Sequence, residues 1–319
     1  MSTDRDAIQE DRPAIPRWRA ALTREEIAGL LAVRDAWAWF SILFNWGIIG
    51  AAFAIVAAWP NPLSILLALF LIGGRQLGMA ILMHDAAHRV LLKHRFWNDW
   101  VGNWLCAYPV WNDLHPYRTY HLKHHTKTWT EEDPDLELAT PFPISRASLR
   151  RKMWRDLSGQ TGWKRFLAIL NRDLGNSKGR VRRDFGAGLQ ALKGVLVTNG
   201  ILLGLLAAFG HAEFYLLWIA AWFTTYSLVM RIRSIAEHAM VPDPKNEMQN
   251  TRTTLIHWWE RLFIAPNHVN FHLEHHLLMT VPHYNLPRLH RWLRERSVLT
   301  EACISEGYLS VLQLAASKA

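Results

Sequence analysis

Nine of the chain's 16 histidines fall into four short groups, and this spacing is its strongest chemical signal. His84 and His88 stand at i and i+4. His121, His124 and His125 form His-x-x-His-His, as do His272, His275 and His276, while His238 stands alone in Ile235-Ala-Glu-His238. On a helix, side chains three and four apart share a face, so each group can aim two or three ring nitrogens at one centre. A neutral imidazole supplies one metal bond. Four saturate a tetrahedral zinc, whereas two ions with four or five ligands each use about nine. The set therefore suits a pair of transition-metal ions. A lone His-x-x-x-His pair carries little weight, since an isolated histidine is more often a surface or hydrogen-bonded core residue. Four groups together are not produced readily by chance.

Other uses of such residues fit less well. The zinc-protease pattern His-Glu-x-x-His is absent, and the histidines do not form a low-complexity storage tract. Cys106 and Cys303 are the only cysteines, which excludes a four-thiolate cluster and a disulfide scaffold. Half the residues are hydrophobic, too many for a disordered chain. A metal transporter or a membrane zinc hydrolase remains as a rival class. Transporter ligands, however, are expected near the bilayer midplane.

The elements that must position these groups are long and apolar. Residues 37–59 are almost free of charge and long enough to cross about 30 Å of hydrocarbon. Trp59-Pro60-Asn61-Pro62 then turns into a second apolar stretch, 63–83. After a polar region the pattern repeats at 188–209 and 214–230, joined across Gly210-His211-Ala212-Glu213. The competing reading is four buried helices of a soluble protein. Charge placement argues against it: the two short connectors hold no Lys or Arg, while the polar segments hold nearly all 36. That asymmetry puts both termini and the long loop on the cytoplasmic side. Trp37, Trp39, Trp46, Trp59, Trp97, Trp100, Trp104 and Trp111 suit interfacial belts. No secretory signal peptide is visible. Arg75 interrupts the second stretch and is expected near or past the headgroups, with Arg231 and Arg233 marking a similar emergence of the fourth.

The expected fold is an all-α integral membrane protein, with four transmembrane helices in two hairpins and a helical cytoplasmic cap holding a di-metal site. The chain reads as one domain over 1–319. It divides into a cytoplasmic segment 1–36, hairpin 37–83, cytoplasmic segment 84–187, hairpin 188–236 and cytoplasmic segment 237–319. Helix-like patches at 146–157 and 163–171 lie within the loop, beside the turn-rich run Glu131-Glu132-Asp133-Pro134-Asp135.

The order of the histidine groups across two hairpins resembles the membrane-bound fatty acid desaturase superfamily, over about residues 37–290. His121-Leu-Lys-His-His followed by Asp133-Pro134-Asp135 is similar to its second box and acidic turn. Asn270-Phe-His-Leu-Glu-His-His276, with Pro282, Asn285 and Pro287 following, is similar to its third. Glu237-His238 resembles the extra ligand after the fourth helix. The resemblance implies a non-haem di-iron centre, O₂ as co-substrate and an external electron donor such as a ferredoxin or cytochrome b5 type protein. It also implies the ligand set His84, His88, His121, His124, His125, His238, His272, His275 and His276. Two features depart from particular subfamilies: Ser234 stands where acyl-CoA desaturases have Asn, and the third box begins with His rather than Gln. The fused haem motif His-Pro-Gly-Gly is missing, since His115-Pro116 runs into Tyr117.

Asp85, Asp133, Asp135, Glu237 and Glu274 lie beside these ligands and are candidate acceptors that fix imidazole tautomers, with solvated or helix-capping acids as the alternative. His268, four before His272, reads as a spare ligand, a proton carrier or a surface residue. Asn267 and Asn270 are candidates to hold waters. His94, His115, His211, His257, His283 and His290 read as structural, His211 lying on the opposite membrane side. The expected activity is O₂-dependent desaturation of an acyl chain in a membrane lipid, with a lipid or carotenoid hydroxylase or ketolase as the alternative on the same scaffold. Arg146, Arg150, Arg151, Lys152, Arg155, Arg180, Arg182 and Arg183 form a basic surface for anionic headgroups, for topology alone, or for an acidic donor. Nucleic-acid binding is not expected, because that charge lies beside the membrane.

Overall fold

The computed structural model describes residues 15–173 and 185–318. Arg180, Arg182 and Arg183 of the basic surface lie outside them. The described chain is mostly helical, and four helices are long and apolar enough to cross a membrane: Asp35–Ala58, Pro62–Ala87, Gly188–Ala208 and Ala212–His238. The second begins at a strong start signal. The Asn61 side chain accepts from the Leu63 and Ser64 amides, Ser64 answers to the Asn61 amide, and Pro62 occupies a position where no amide is needed.

This second helix is the axis of the molecule, buried from Leu71 to its end. Small residues let its neighbours approach. A Cβ on Gly74 would stand 2.6 Å from the Phe263 carbonyl oxygen, and one on Gly78 would stand 2.0 Å from Asn45 Oδ1 in the first helix. The helix continues beyond its apolar stretch to Ala87, so His84 is helical and His88 is the C-cap. The fourth helix is broken at Thr224 (φ −111°, ψ −85°) into Tyr215–Phe223 and Thr225–His238. Arg165 donates to the Trp222 carbonyl at 2.8 Å and Thr225 Oγ1 to the Leu69 carbonyl at 2.6 Å, so polar groups around the break find partners inside protein.

Between the second and third helices, Leu114–Lys127 carries the second histidine group, started by Asp113, whose side chain accepts from the His115 amide at 2.8 Å. The helix-like patches fold as Arg146–Leu157 and Gln160–Asp173. The first of these is tied to the fourth long helix by fully buried Asp156, which accepts from Arg231 Nη2 at 2.8 Å and from Thr161 at 2.6 Å. After the fourth helix come the short helices Trp258–Phe263, His272–Leu277, Leu286–Glu295 and Gly307–Ala315.

Several expectations are corrected. The fold is not purely helical, because Thr253–Leu255 pairs in parallel with Ile304–Glu306. Strands of three residues leave no readable alternation. Arg75 is enclosed by protein: it is 2% exposed, midway along its helix, and donates to the carbonyls of Arg261 and Leu262. Arg231 pairs with Asp156 rather than simply emerging. Trp37, Trp39, Trp59, Trp97 and Trp100 are exposed, but Trp46 stacks on Trp218 at 5.9 Å and Trp111 packs against Phe166 at 5.3 Å.

Candidate metal centre

All nine histidines converge, in two adjoining groups. His84, His88, His121, His125 and His275 form one, and His124, His238, His272 and His276 the other; within each, the candidate ligand atoms lie within 4.8 Å of one another. The helical spacing does what periodicity requires, and the four segments meet because the second and fourth long helices pack together. The groups adjoin where the His125 and His276 rings stand 4.4 Å apart.

In the first group Nε2 faces Nε2 throughout. The separations are 3.0 Å for His84–His275, 3.0 Å for His88–His121, 2.9 Å for His121–His125 and 3.0 Å for His125–His275. In the second they are 3.2 Å for His124–His238 and 2.9 Å for His238–His272. The buried His276 Nε2 has no partner. A single proton satisfies only one such contact, so atoms facing two or more neighbours cannot all be hydrogen-bonded to one another. Two nitrogens bound at right angles to one ion at about 2.1 Å stand about 3.0 Å apart. The donor set thus fits a metal ion in each group, and imidazole suits iron, zinc, copper and nickel. Burial, reinforced by neighbouring rings, holds His88, His121, His272, His275 and His276 well below the usual imidazole range, and His125 at about 2. All are therefore neutral at pH 7, the ligating form.

The acids beside the ligands divide. Asp133 accepts from His124 Nδ1 at 2.8 Å and is itself held by the Trp129 amide at 3.0 Å and the Asp135 amide at 2.9 Å. Asp135 lies 3.8 Å from His124 Nδ1 and takes the Tyr120 hydroxyl at 2.5 Å. Glu237 stands 3.4 Å from His272 Nδ1 and pairs with Arg233 at 2.5 Å. Asp85 stands 3.6 Å from His84 Nδ1, but its short contact, 2.7 Å, is with His283 Nδ1. Glu274 meets no ligand ring; it takes Thr253 Oγ1 at 2.5 Å and His290 Nδ1 at 2.6 Å.

Asn270 braces the third group by donating to the Thr254 carbonyl at 2.9 Å. Asn267 bonds the Gly78 carbonyl at 2.7 Å and Asn45 at 3.2 Å, and His268 belongs to neither histidine group. Ser234 lines a cavity of about 220 Å³ against the second group, together with Tyr117, Arg233 and Glu237. Sequence reasoning gave Tyr117 no role, read Arg233 only as a mark of helix emergence, and read His283 and His290 as structural, which they are: each holds an acid beside the histidine groups. Tyr117 stacks on His121 at 5.3 Å and 6°, and His283 joins Asp85 to Ser41 of the first long helix, with a 2.9 Å contact to Ser41. Arg233 was findable as the i, i+4 partner of Glu237. The His283 contacts to Asp85 and Ser41 span 198 and 242 residues and leave no local signal.

A polytopic arrangement of apolar helices around two all-imidazole groups defines a class of membrane metalloprotein. The fatty acid desaturase family profile matches residues 57–305, most of the chain, and the chain belongs to that family. It is a multi-pass membrane protein of an oxidoreductase family. Among its relatives, a dihydrorhizobitoxine desaturase of Bradyrhizobium elkanii is 28% identical, over 72% of this chain and 67% of its own. An sn-1 oleoyl-lipid 12-desaturase of Picosynechococcus is 25% identical, over 81% of this chain and 77% of its own. A beta-carotene 4-ketolase of Protosiphon botryoides is 31% identical, but over only 26% of this chain and 21% of its own.

Proposed function

We propose that the protein is an O₂-dependent desaturase that introduces a double bond into an aliphatic chain drawn from the membrane, using two electrons from a separate donor protein. The observation that carries this reading is the pair of adjoining all-histidine groups within a desaturase-family chain. His84, His88, His121, His125 and His275 would hold one iron, and His124, His238, His272 and His276 the other. The iron pair supplies what side chains lack, reductive activation of O₂ to an oxidant able to take hydrogen from an unactivated methylene. The balance is one CH₂–CH₂ unit, O₂, two electrons and two protons giving one CH=CH unit and two waters.

The chain's own residues prepare that chemistry. Asp133 orients His124 through Nδ1, which leaves Nε2 for the metal, and Glu237 places an acceptor 3.4 Å from His272 Nδ1. Burial keeps the ligand rings unprotonated and excludes bulk water. Tyr117 pins the His121 ring. Polar groups reach the second histidine group through the cavity holding Tyr120, Asp135 and Arg233, a route along which the two protons can be relayed. In this reading the four long helices form two hairpins, with termini and histidine groups on the cytoplasmic side, an orientation the charge asymmetry supports. Exposed Arg146, Arg150, Arg151 and Arg155 on one helix face anionic headgroups there.

A second reading, hydroxylation or ketolation, is kept by the short match to the ketolase. Lipid mass spectrometry of an expressing host separates them. Wild type but not His84→Ala/His88→Ala should cause an O₂-dependent loss of two hydrogens from a lipid chain. Gain of one oxygen would move the assignment to hydroxylation, and zinc as the only metal of the active protein would sink both.

A further inference from the structure

A cavity of about 380 Å³ lies beside the metal centre but outside it. Its outer wall is aromatic: Phe40 and Phe44 on the first long helix and Trp258 on the short helix Trp258–Phe263 are all exposed. Phe40 and Phe44 belong to an apolar span, Asp35–Ala58, so this side of the cavity faces where the bilayer is expected. Its inner wall is polar and includes Arg75, His268, Asn267 and His283. Asn267 and His283 are shared with a small cavity of about 20 Å³ that reaches His84 and His275. The larger cavity therefore leads to the five-histidine group.

Arg75 is the unusual member. It is 2% exposed, and its Nη2 donates to two backbone carbonyls at the end of the short helix, those of Arg261 (3.0 Å) and Leu262. Those carbonyls steady the side chain, but they do not neutralise it. Nε has no partner, and among the described residues no carboxylate lies within ion-pair distance. A buried charge inside a membrane protein without a counter-ion costs several kcal/mol and marks a functional group. His268 Nδ1 on the same wall is likewise unpartnered. His268 and Asn267 both hold positive φ, 59° and 52°, an uncommon backbone state at the turn that puts Asn267 on both cavities and His268 on the larger one. Along the helix, nine residues separate Arg75 from His84, about 13 Å at 1.5 Å per residue.

We propose that this cavity holds the carboxylate end of an aliphatic substrate, with Arg75 as its counter-ion and the chain running past Asn267 and His283 to the histidine groups. A singly charged carboxylate matches the one buried guanidinium on this wall, that of Arg75; Arg261, which also lines the cavity, is exposed, and the other polar lining residues are Ser41, Asn267, His268, His283 and Tyr284. The distance from Arg75 to His84 is the reach of a chain of on the order of ten carbons. This deepens the desaturase reading by naming the substrate's polar group, and it rests on that reading only for what happens at the far end of the chain.

The test is equilibrium binding, not turnover. A radiolabelled long-chain fatty acid is bound to the full-length protein in nanodiscs, with the free acid, its methyl ester, its alcohol and a lysophosphatidic acid of equal chain length as competitors. The acid should compete at least tenfold better than the ester or alcohol, and better than the phosphate. Arg75→Gln should reduce that preference to within threefold, and Arg75→Lys should restore part of it. Equal competition by acid and ester on the wild-type protein would overturn the proposal, and that comparison needs no variant to fold. Stronger competition by the phosphate, or an unchanged preference in a folded Arg75→Gln, would overturn it too. Acid-selective binding without turnover would support the cavity while counting against the desaturase reading, so the two fail separately.

Discussion

On the di-iron reading proposed above, replacing Asp133 by Ala should loosen one iron and spare the other. Asp133 is nearly buried and accepts three hydrogen bonds, from His124 Nδ1 at 2.8 Å, the Trp129 amide at 3.0 Å and the Asp135 amide at 2.9 Å. The two amides fix the carboxylate, and the carboxylate fixes the proton on Nδ1 and the tilt of the ring. Without it, the His124 ring can adopt the other tautomer, which places a proton on Nε2, the nitrogen that faces His238 at 3.2 Å. Loss of such a partner costs roughly 10–100-fold in metal affinity, or about 1.4–2.7 kcal/mol. The effect should fall on the group of four, because His124 belongs to it and not to the group of five. Iron retained against a graded chelator, read by elemental analysis of the purified chain, should drop from two equivalents towards one at chelator concentrations that leave wild type full. Asp133→Asn, which keeps an acceptor oxygen, should lie between. A variant that folds and holds both irons as tightly as wild type would refute the orienting role; equal loss of both would refute the division into two separate groups.

Two further outcomes follow from groups away from the ligand nitrogens or from the empty protein. Asp156→Ala strands Arg231 beside a buried hole between the loop helix Arg146–Leu157 and the fourth long helix, and breaking such a pair costs about 3–5 kcal/mol. Its thermal midpoint in detergent should fall clearly, whereas an unchanged midpoint would show that the loop helix is held mainly by apolar packing. The metal-stripped protein should lose stability as pH falls below about 6.5, since unfolded imidazoles then take up protons that the buried His121, His125 and His275 refuse. Because the folded values are depressed, stability is full above the unfolded value and declines on acidification. A flat midpoint between neutral pH and pH 5 would contradict that burial.

Different physical forces made parts of this molecule legible and hid others. The long helices declare themselves because a bilayer-spanning segment must be apolar along its whole length, whatever it packs against. The second helix continues past its apolar stretch through His84, where burial against protein replaces burial in lipid. The partners of Arg75 were hidden: a charge in an apolar run reads as a membrane exit, and only the fold brings up the carbonyls of Arg261 and Leu262, far away in sequence, to receive it. The strand pair 253–255 and 304–306 was hidden because three residues carry no period.

By itself, the sequence determined which nitrogens are on offer: helical spacing commits His84 with His88, His121 with His125, and His272 with His276 to common faces, and that is a local property of the backbone. It also determined the apolar spans and the charge asymmetry around them. Only the tertiary structure decided the partition, five rings against four, with His275 joining the first group while its neighbour His276 joins the second. It alone assigned Asp133 to His124, gave Asp85 mainly to His283, turned Glu274 towards His290, and set Arg75 on the wall of a cavity beside the histidines. Each of these depends on how helices distant in the chain cross, on close approaches such as Gly78 against Asn45, and on buried polar groups finding whichever partner packing brings within reach. No local pattern encodes that choice, because the free energy that makes it is shared among all the elements that meet there.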